Sequence, residues 1–329
     1  MRATARTRDE RRPAVTARSA SVTQLRVALV GFGKIALDRH LPALAGNELL
    51  TLAATVDPLA SGTDRVPHFT SLDDLLVSDC PFDAATVCTP PQVRYAVALR
   101  LLAAGKHVLL EKPPAASLSE IAMLEEQANG AGVTLFAAWH SRYAAGVAPA
   151  REWLADKRIE SVEIVWREDV HVWHPGQQWI WQTGGFGVFD PGINALSIAT
   201  EILPHPLRVT SSALQYPANC EAPVAAQVKL EDPEGLELEM DLDFRQEGPQ
   251  TWTVTVETDG GRLQLSEGGR VLRTPDGVAD YEDDEYPSLY RHFAAVVGQG
   301  RSHVDISPLR LVADALLMGS ISRVDELIV

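Results

Sequence analysis

The stretch Val108-Leu109-Leu110-Glu111-Lys112-Pro113-Pro114 places a lysine where an apolar run gives way to two prolines. Three apolar residues in a row read as a short buried strand. Proline has no N–H for a sheet ladder, so the strand must end here. Lys112 is therefore expected at the carboxyl end of a buried strand, the edge at which open α/β sheets bind ligands. A lysine walled by apolar neighbours at such an edge is suited to proton transfer. On these seven residues alone the plainer reading, two solvated loop charges, is favoured; the rest of the chain reverses it.

A second candidate group lies in Gly187-Val188-Phe189-Asp190-Pro191-Gly192-Ile193-Asn194. Asp190 and Asn194 are four apart, so on a helix they share one face. Pro191 would suit the first helical position, making Asp190 a candidate N-cap as well. Just upstream run Glu168, His171, Trp173 and His174, with Trp166, Trp179 and Trp181 close by. Any one of those tryptophans reads best as core. Together with acids and histidines beside a glycine-rich turn, they suit a sugar, whose C–H faces stack on aromatics and whose hydroxyls need polar partners.

The elements that must position these groups begin with a strand at 25–30, which runs into Gly31-Phe32-Gly33-Lys34-Ile35-Ala36, the G-x-G-x-x-A form of a dinucleotide fingerprint. Gly31 permits the tight turn, Gly33 lets a pyrophosphate approach the backbone, and Ala36 lets the helix pack closely on the sheet. A second strand ends in Asp57, 57 − 33 = 24 residues past the second glycine, near the spacing of a ribose-binding acid. Strands at 83–88, 108–110 and 133–136 alternate with helices at 93–104 and 117–129, which calls for a doubly wound parallel sheet. After a helix near 147–156 the pattern changes. A long strand at 161–172 is expected, then strands at 209–214, 224–230, 236–244, 252–257 and 262–265, many alternating apolar with polar, and closing helices near 288–297 and 308–325.

The chain has 329 residues, 46% of them hydrophobic, which is enough for two domains with sizeable cores. A net charge of −15 argues against nucleic acid or an anionic membrane as partner. Cys80, Cys88 and Cys220 are odd in number and widely spaced, a pattern of neither disulfides nor zinc, and fit a reducing cytoplasm. No apolar run is long enough to span a bilayer. Residues 1–23 are arginine-rich and poor in acids, a composition open to a transit peptide but read more simply as a disordered tail or a start codon placed too early.

At this point the sequence resembles the Gfo/Idh/MocA oxidoreductase family. The matching pieces are Gly31–Ala36 with His40-Leu41-Pro42, Glu111-Lys112-Pro113 and Asp190-Pro191-Gly192-Ile193-Asn194, spread from about Gln24 to the end. Within the family it looks most like bacterial aldose 1-dehydrogenases for L-arabinose and D-galactose, on Trp173-His174-Pro175-Gly176-Gln177-Gln178-Trp179-Ile180-Trp181 and the run from Gly187 to Ser197. The resemblance implies a hydride taken from C1 of a cyclic sugar, giving the aldonolactone. It implies that Lys112 touches the sugar and the nicotinamide ribose, that Asp190 accepts the C1 hydroxyl proton, and that Asn194 holds the C1 region. His140, Glu168 and His174 would read the other hydroxyls, with Trp173 beside them. Many relatives carry His at the place of Asn194; an amide cannot titrate, so base duty shifts to Asp190.

The expected fold is α/β: a Rossmann-type doubly wound parallel sheet over 24–142, then an α+β domain over 143–329 with a largely antiparallel open sheet. NAD is the expected cofactor, preferred to NADP because Asp57 is a carboxylate followed by Pro58 rather than by a basic residue. The dinucleotide is expected along Gly31, Phe32, Gly33, Lys34, Ile35, Asp57, Cys88, Thr89, Pro90, Gln92, Glu111 and Lys112, with no metal required. The exposed sheet face carries Glu237, Glu239, Asp241 and Asp243, so a tight dimer through it is disfavoured. Alternatives are a catalytically inert dinucleotide-binding regulator and a dehydrogenase for another polyol such as inositol.

Overall fold

In the computed structural model of the protein the described residues are 24–328. The tail expected over 1–23 lies outside them. Six parallel strands form the first sheet: β1 (Leu25–Val30), β2 (Leu50–Val56), β3 (His68–Phe69), β4 (Ala84–Val87), β5 (His107–Glu111) and β6 (Leu135–Ala138). Their order is β3-β2-β1-β4-β5-β6. The strands are short and solidly apolar because helices cover both faces. Helices Pro91–Ala103 and Leu118–Ala131 pack on the face carrying Ala28, Val30, Val108 and Leu110. The second helix starts where Ser117 accepts the Glu120 N–H and stops at Gly132 in the left-handed conformation. The opposite face, with Val27, Leu29 and Phe136, is covered by Tyr286, Leu289, Tyr290 and Phe293 of the helix Glu285–Gly298. The chain thus returns to the first sheet near its end, a packing that the spacing of that helix's apolar residues did not reveal.

The second sheet has nine strands: β7 (Ile159–Arg167), β8 (Arg208–Pro217), β9 (Ala225–Glu231), β10 (Glu237–Asp243), β11 (Thr251–Thr258), β12 (Gly261–Ser266), β13 (Val271–Thr274), β14 (Gly277–Asp280) and β15 (Gly319–Val324). The order is β14-β13-β12-β11-β7-β10-β9-β8-β15, antiparallel except at β7–β10 and β8–β15. Its apolar face is buried under helices Val147–Leu154, Phe189–Ile202 and Ser307–Leu317. Its other face is polar, and three of the four acids expected there pair within the chain: Glu239 with Lys229 at 2.7 Å, Asp241 with Arg167, and Asp243 with Arg245 at 2.8 Å. Two expectations are corrected. The strand expected to run to residue 172 stops at Arg167, and Val170–Trp173 turns into one helical turn capped by Asp169, which accepts the His171 N–H. The last helix stops at Leu317, and residues expected to continue it form edge strand β15 beside β8. Among the described residues no helix is long and apolar enough to cross a membrane.

Candidate active site

The carboxyl ends of β1, β4 and β5 open onto a cavity of about 690 Å³, whose far wall is built by the second sheet and the helix Phe189–Ile202. On the first wall, Gly31 turns the chain at φ +88°, and a Cβ there would meet the Thr89 nitrogen at 2.7 Å. Around Gly33 nothing stands within 4 Å of an added Cβ, which leaves an open cradle before the helix spanning 34–45. Thr89 Oγ1, at the facing strand end, is buried without a partner. An open backbone turn, a helix N-terminus and an unsatisfied hydroxyl suit a dinucleotide's phosphates and ribose. Asp57 directly follows β2, at the strand end where it was expected, but its carboxylate also holds the turn. Oδ2 accepts the Phe32 N–H at 2.8 Å, and Oδ1 accepts those of Leu59 and Ala60 at 2.8 and 2.9 Å. Burial opposes the charge on Asp57, yet those three N–H groups hold its pKa below the usual carboxylate range. Lys34 is engaged on the surface by Asp38.

Beneath this wall lies a buried ionic network. Glu111 ends β5 at 2% exposure. Its Oε1 meets His40 Nε2 at 3.0 Å and accepts the Tyr286 hydroxyl at 2.7 Å, while Oε2 accepts the Lys112 N–H at 2.7 Å. His40 Nδ1 meets the Tyr290 hydroxyl at 2.8 Å, which in turn lies 3.0 Å from Thr86. Burial penalises both charges, but their neighbours win. Cys88, Tyr290 and Glu111 raise His40 well above its ordinary pKa, and His40, His140 and Tyr286 hold Glu111 well below its own. The guanidinium of Arg94, buried on helix Pro91–Ala103, donates to the carbonyls of Thr89, Glu111 and Pro113. The peptide group before Lys112 is therefore held at both ends, its N–H by a buried anion and its carbonyl by a buried cation, and the same cation holds the Pro113 carbonyl.

Lys112 reaches across the cavity. Its Nζ donates to the Asp190 carbonyl at 3.0 Å and to Asp190 Oδ2 at 3.1 Å. The helix carrying Asp190 starts at Phe189 with Val188 before it, so Asp190 occupies the second helical position and is not the N-cap. Gly187 makes that start possible: φ is +52°, and a Cβ would meet the Pro223 carbonyl oxygen at 2.2 Å. Asp190 is 3% exposed, and its Oδ1 is buried with no hydrogen-bond partner. Asn194 lies one turn on and also lines the cavity.

Beyond Asp190, His174 Nδ1 stands 3.8 Å from Asp190 Oδ2, and its Nε2 bonds Glu168 Oε1 at 2.9 Å. Glu168 Oε2 accepts the Trp252 indole N–H at 2.7 Å. Trp252 stacks on Trp166 across the β7–β11 pairing and meets Trp173 at 4.7 Å. His140 bonds Glu285 at 2.8 Å and stacks on Tyr286. Gln92 joins the two walls by donating to the Trp179 carbonyl at 3.1 Å.

The cavity brings together Gly33, Lys34, Ile35, Cys88, Thr89, Pro90, Glu111, Lys112, His140, Glu168, Trp173, His174, Asp190 and Asn194. Gly31, Phe32, Asp57 and Gln92 do not line it, and His171 points away to Asp169 and the Ile328 carbonyl. Sequence reasoning missed Arg94, Trp252, Glu285 and Tyr286. Trp252 alone had a legible sign, an aromatic in an alternating strand. Among the described residues the three cysteines are free, and no group of three or more His, Cys, Asp or Glu is placed to hold a metal ion.

Comparison with known proteins accords with this geometry. Residues 25–139 match the model of an oxidoreductase family with an NAD-binding Rossmann fold. A galactose 1-dehydrogenase of Pseudomonas fluorescens is 46% identical over 300 residues, 90% of this chain and 96% of that protein. The crystal structure of a D-galactose-1-dehydrogenase from Rhizobium etli is similar at 47% identity and TM-score 0.89, covering 94% of this chain and 99% of that one. KijD10, a 3-ketoreductase from Actinomadura kijaniata solved with NADP, shares the fold at 20% identity and TM-score 0.79, over 92% of this chain and all of its own.

Proposed function

We propose that this chain, which belongs to the Gfo/Idh/MocA family and is an NAD(P)-dependent aldose dehydrogenase, oxidises the C1 hydroxyl of a cyclic aldose to the aldonolactone. D-galactose and L-arabinose are the substrates put forward. The observation that carries the reading is the carboxylate of Asp190, with Oδ2 on Lys112 and Oδ1 buried and unpaired. An unsatisfied buried acceptor costs about 1–3 kcal/mol, and a hydroxyl donated by a ligand would remove that cost. A nicotinamide dinucleotide held on the glycine turn and strand ends supplies the hydride acceptor. The chain's own residues do the rest. Asp190 takes the hydroxyl proton, Lys112 steadies the negative charge that grows on that oxygen, and Asn194 orients it through an amide that does not titrate. The stacked Trp166 and Trp252 with Trp173 offer apolar faces to the ring.

The two sugars have the same ring hydroxyl configurations and differ by the C6 hydroxymethyl group, a difference that a roomy pocket discriminates weakly. NAD is the preferred dinucleotide in this reading, because ionised Asp57 repels a 2′-phosphate and Lys34 is already paired with Asp38. The test is reduced-cofactor absorbance with a panel of aldoses and inositol, for wild type, Asp190→Ala and Lys112→Ala. Turnover of D-galactose should fall about a hundredfold or more in each variant, while dinucleotide binding persists. Near-normal turnover in Asp190→Ala would contradict the assignment.

A further inference from the structure

We infer that His174 is a proton relay, which takes from Asp190 the proton removed from the sugar and passes it to solvent. The inference rests on the reading of Asp190 as base and gives His174 a role other than holding a hydroxyl. It stands on three features. Glu168 is 2% exposed and has each carboxylate oxygen engaged by a donor, Trp252 on Oε2 and His174 on Oε1. A carboxylate accepts at both oxygens, so this pairing favours the imidazole tautomer with its proton at Nε2. That leaves Nδ1 unprotonated, 3.8 Å from Asp190 Oδ2, a gap that a small rotation of either side chain closes to hydrogen-bond length. A carboxylate fixing the tautomer of an imidazole whose other nitrogen faces the reacting group is the arrangement that makes histidine a base.

Burial gives the relay its direction. The Asp190 side chain is 4% exposed and that of His174 is 14% exposed, so the imidazole is the more open of the two. The charged groups facing the imidazole are Glu168 from the end of β7, Asp190 from the helix Phe189–Ile202, and Lys112 behind Asp190 from the end of β5. Phe244, after β10, packs on the ring without charge, and Asp169 and His171 on its own segment pair with each other. In the balanced step the C1–H bond breaks with its electron pair leaving as hydride for the oxidised nicotinamide dinucleotide. The O–H bond breaks, its electron pair forms the second C–O bond, and its proton goes to Asp190. The Asp190 carboxyl turns about its Cβ–Cγ bond to bring the protonated oxygen toward His174 and protonates Nδ1, and the imidazolium releases that proton to water.

The test has two arms. In the first, ¹⁵N-histidine spectra of the protein without substrate, with His174 assigned by its loss in His174→Gln, should show neutral His174 protonated at Nε2. Glu168→Gln should abolish that preference. In the second, His174→Gln and His174→Gly should lower kcat for D-galactose about tenfold to a hundredfold, with KM changed less than about threefold. Imidazole in the buffer should restore part of kcat in His174→Gly, and the acid limb of the kcat–pH profile should change shape. A rise in KM with kcat intact, a proton found at Nδ1, or no response to imidazole would overturn the relay. A wild type inactive on every aldose would overturn the proposed function instead, and leave the tautomer measurement to decide the relay geometry.

Discussion

On the dinucleotide wall the groups that face the cavity come largely from backbone: a glycine turn, a helix start and the ends of β1, β4 and β5. Charged side chains there, such as Glu111, His40 and Arg94, are turned inward and hold that backbone in place. On the facing wall the reverse holds. Asp190, Asn194, His174 and the tryptophans present side chains, Lys112 reaches across to them from the end of β5, and the backbone carrying Trp173, His174 and Trp179 is irregular between β7 and the helix Phe189–Ile202. A nicotinamide dinucleotide is one invariant ligand, which a fixed backbone can fit. A sugar is recognised hydroxyl by hydroxyl, which needs side chains. Substitutions on the first wall should therefore act on stability and cofactor binding, and those on the second on turnover and sugar affinity.

The largest expected effect lies under the first wall. Removing one partner of a buried ion pair costs about 3–5 kcal/mol, so His40→Gln should be strongly destabilised in urea unfolding. The pH dependence has a definite sign. The folded pKa of Glu111 lies below its ordinary 4.5, so its contribution is present above about 4.5 and is lost as pH falls toward the folded value. The folded pKa of His40 lies above its ordinary 6.5, so its contribution is present below about 6.5 and is lost as pH rises through the folded value. The gap between wild type and variant should be widest between those two ordinary values. A gap that is flat from pH 4 to 9 would mean that the pair is neutral, and the contrast between the walls would lose its electrostatic part.

Much of the first wall was legible from sequence, because glycine and proline mark its strand ends: Val30 before Gly31, Val87 before Thr89-Pro90, Glu111 before Lys112-Pro113. What the sequence did not carry was distance. Arg94 sits in a helix pattern that reads as solvated, and its three carbonyl partners, Thr89, Glu111 and Pro113, lie at the end of β5 and in the loops after β4 and β5. His40 and Tyr286 meet Glu111 across separations of 71 and 175 residues. On the second wall, Val170-His171-Val172-Trp173 alternates like a strand but is turned into a helix by the Asp169 cap. The segment after Leu317 continued an apolar helical rhythm, yet its backbone joined β8. Asp190, Asn194, Glu168 and His174 were legible as a group. That Glu168 faces His174 and Trp252, with both its oxygens engaged by them, came only from the fold.

A smaller effect sharpens the comparison at the first wall. Asp57→Ser removes the charge at the ribose end, and should raise kcat/KM for NADP relative to NAD by roughly tenfold, the scale of one charge contact near a surface. Since Asp57 also accepts three backbone N–H groups, a modest loss of stability should accompany it. A ratio that does not move would make Asp57 a turn residue alone. The smallest effect lies on the second wall. Trp252→Phe keeps a ring beside Trp166 but deletes the donor to Glu168, a charged-acceptor bond worth about 1.5 kcal/mol or more. Turnover should fall by about tenfold at most, with NAD affinity unchanged by titration. A change in NAD affinity instead would break the division between the walls.

The central claim is that the two walls meet at C1 of an aldose, with Asp190 and Lys112 on its hydroxyl. It is tested most directly by incubating the protein with NAD and D-galactose deuterated at C1, and by following the label by NMR. The account predicts deuterium at C4 of the reduced nicotinamide and galactonolactone as the sugar product, both slowed together in Asp190→Ala. Deuterium retained on the sugar while the cofactor is reduced would place the oxidation at another carbon and contradict the account.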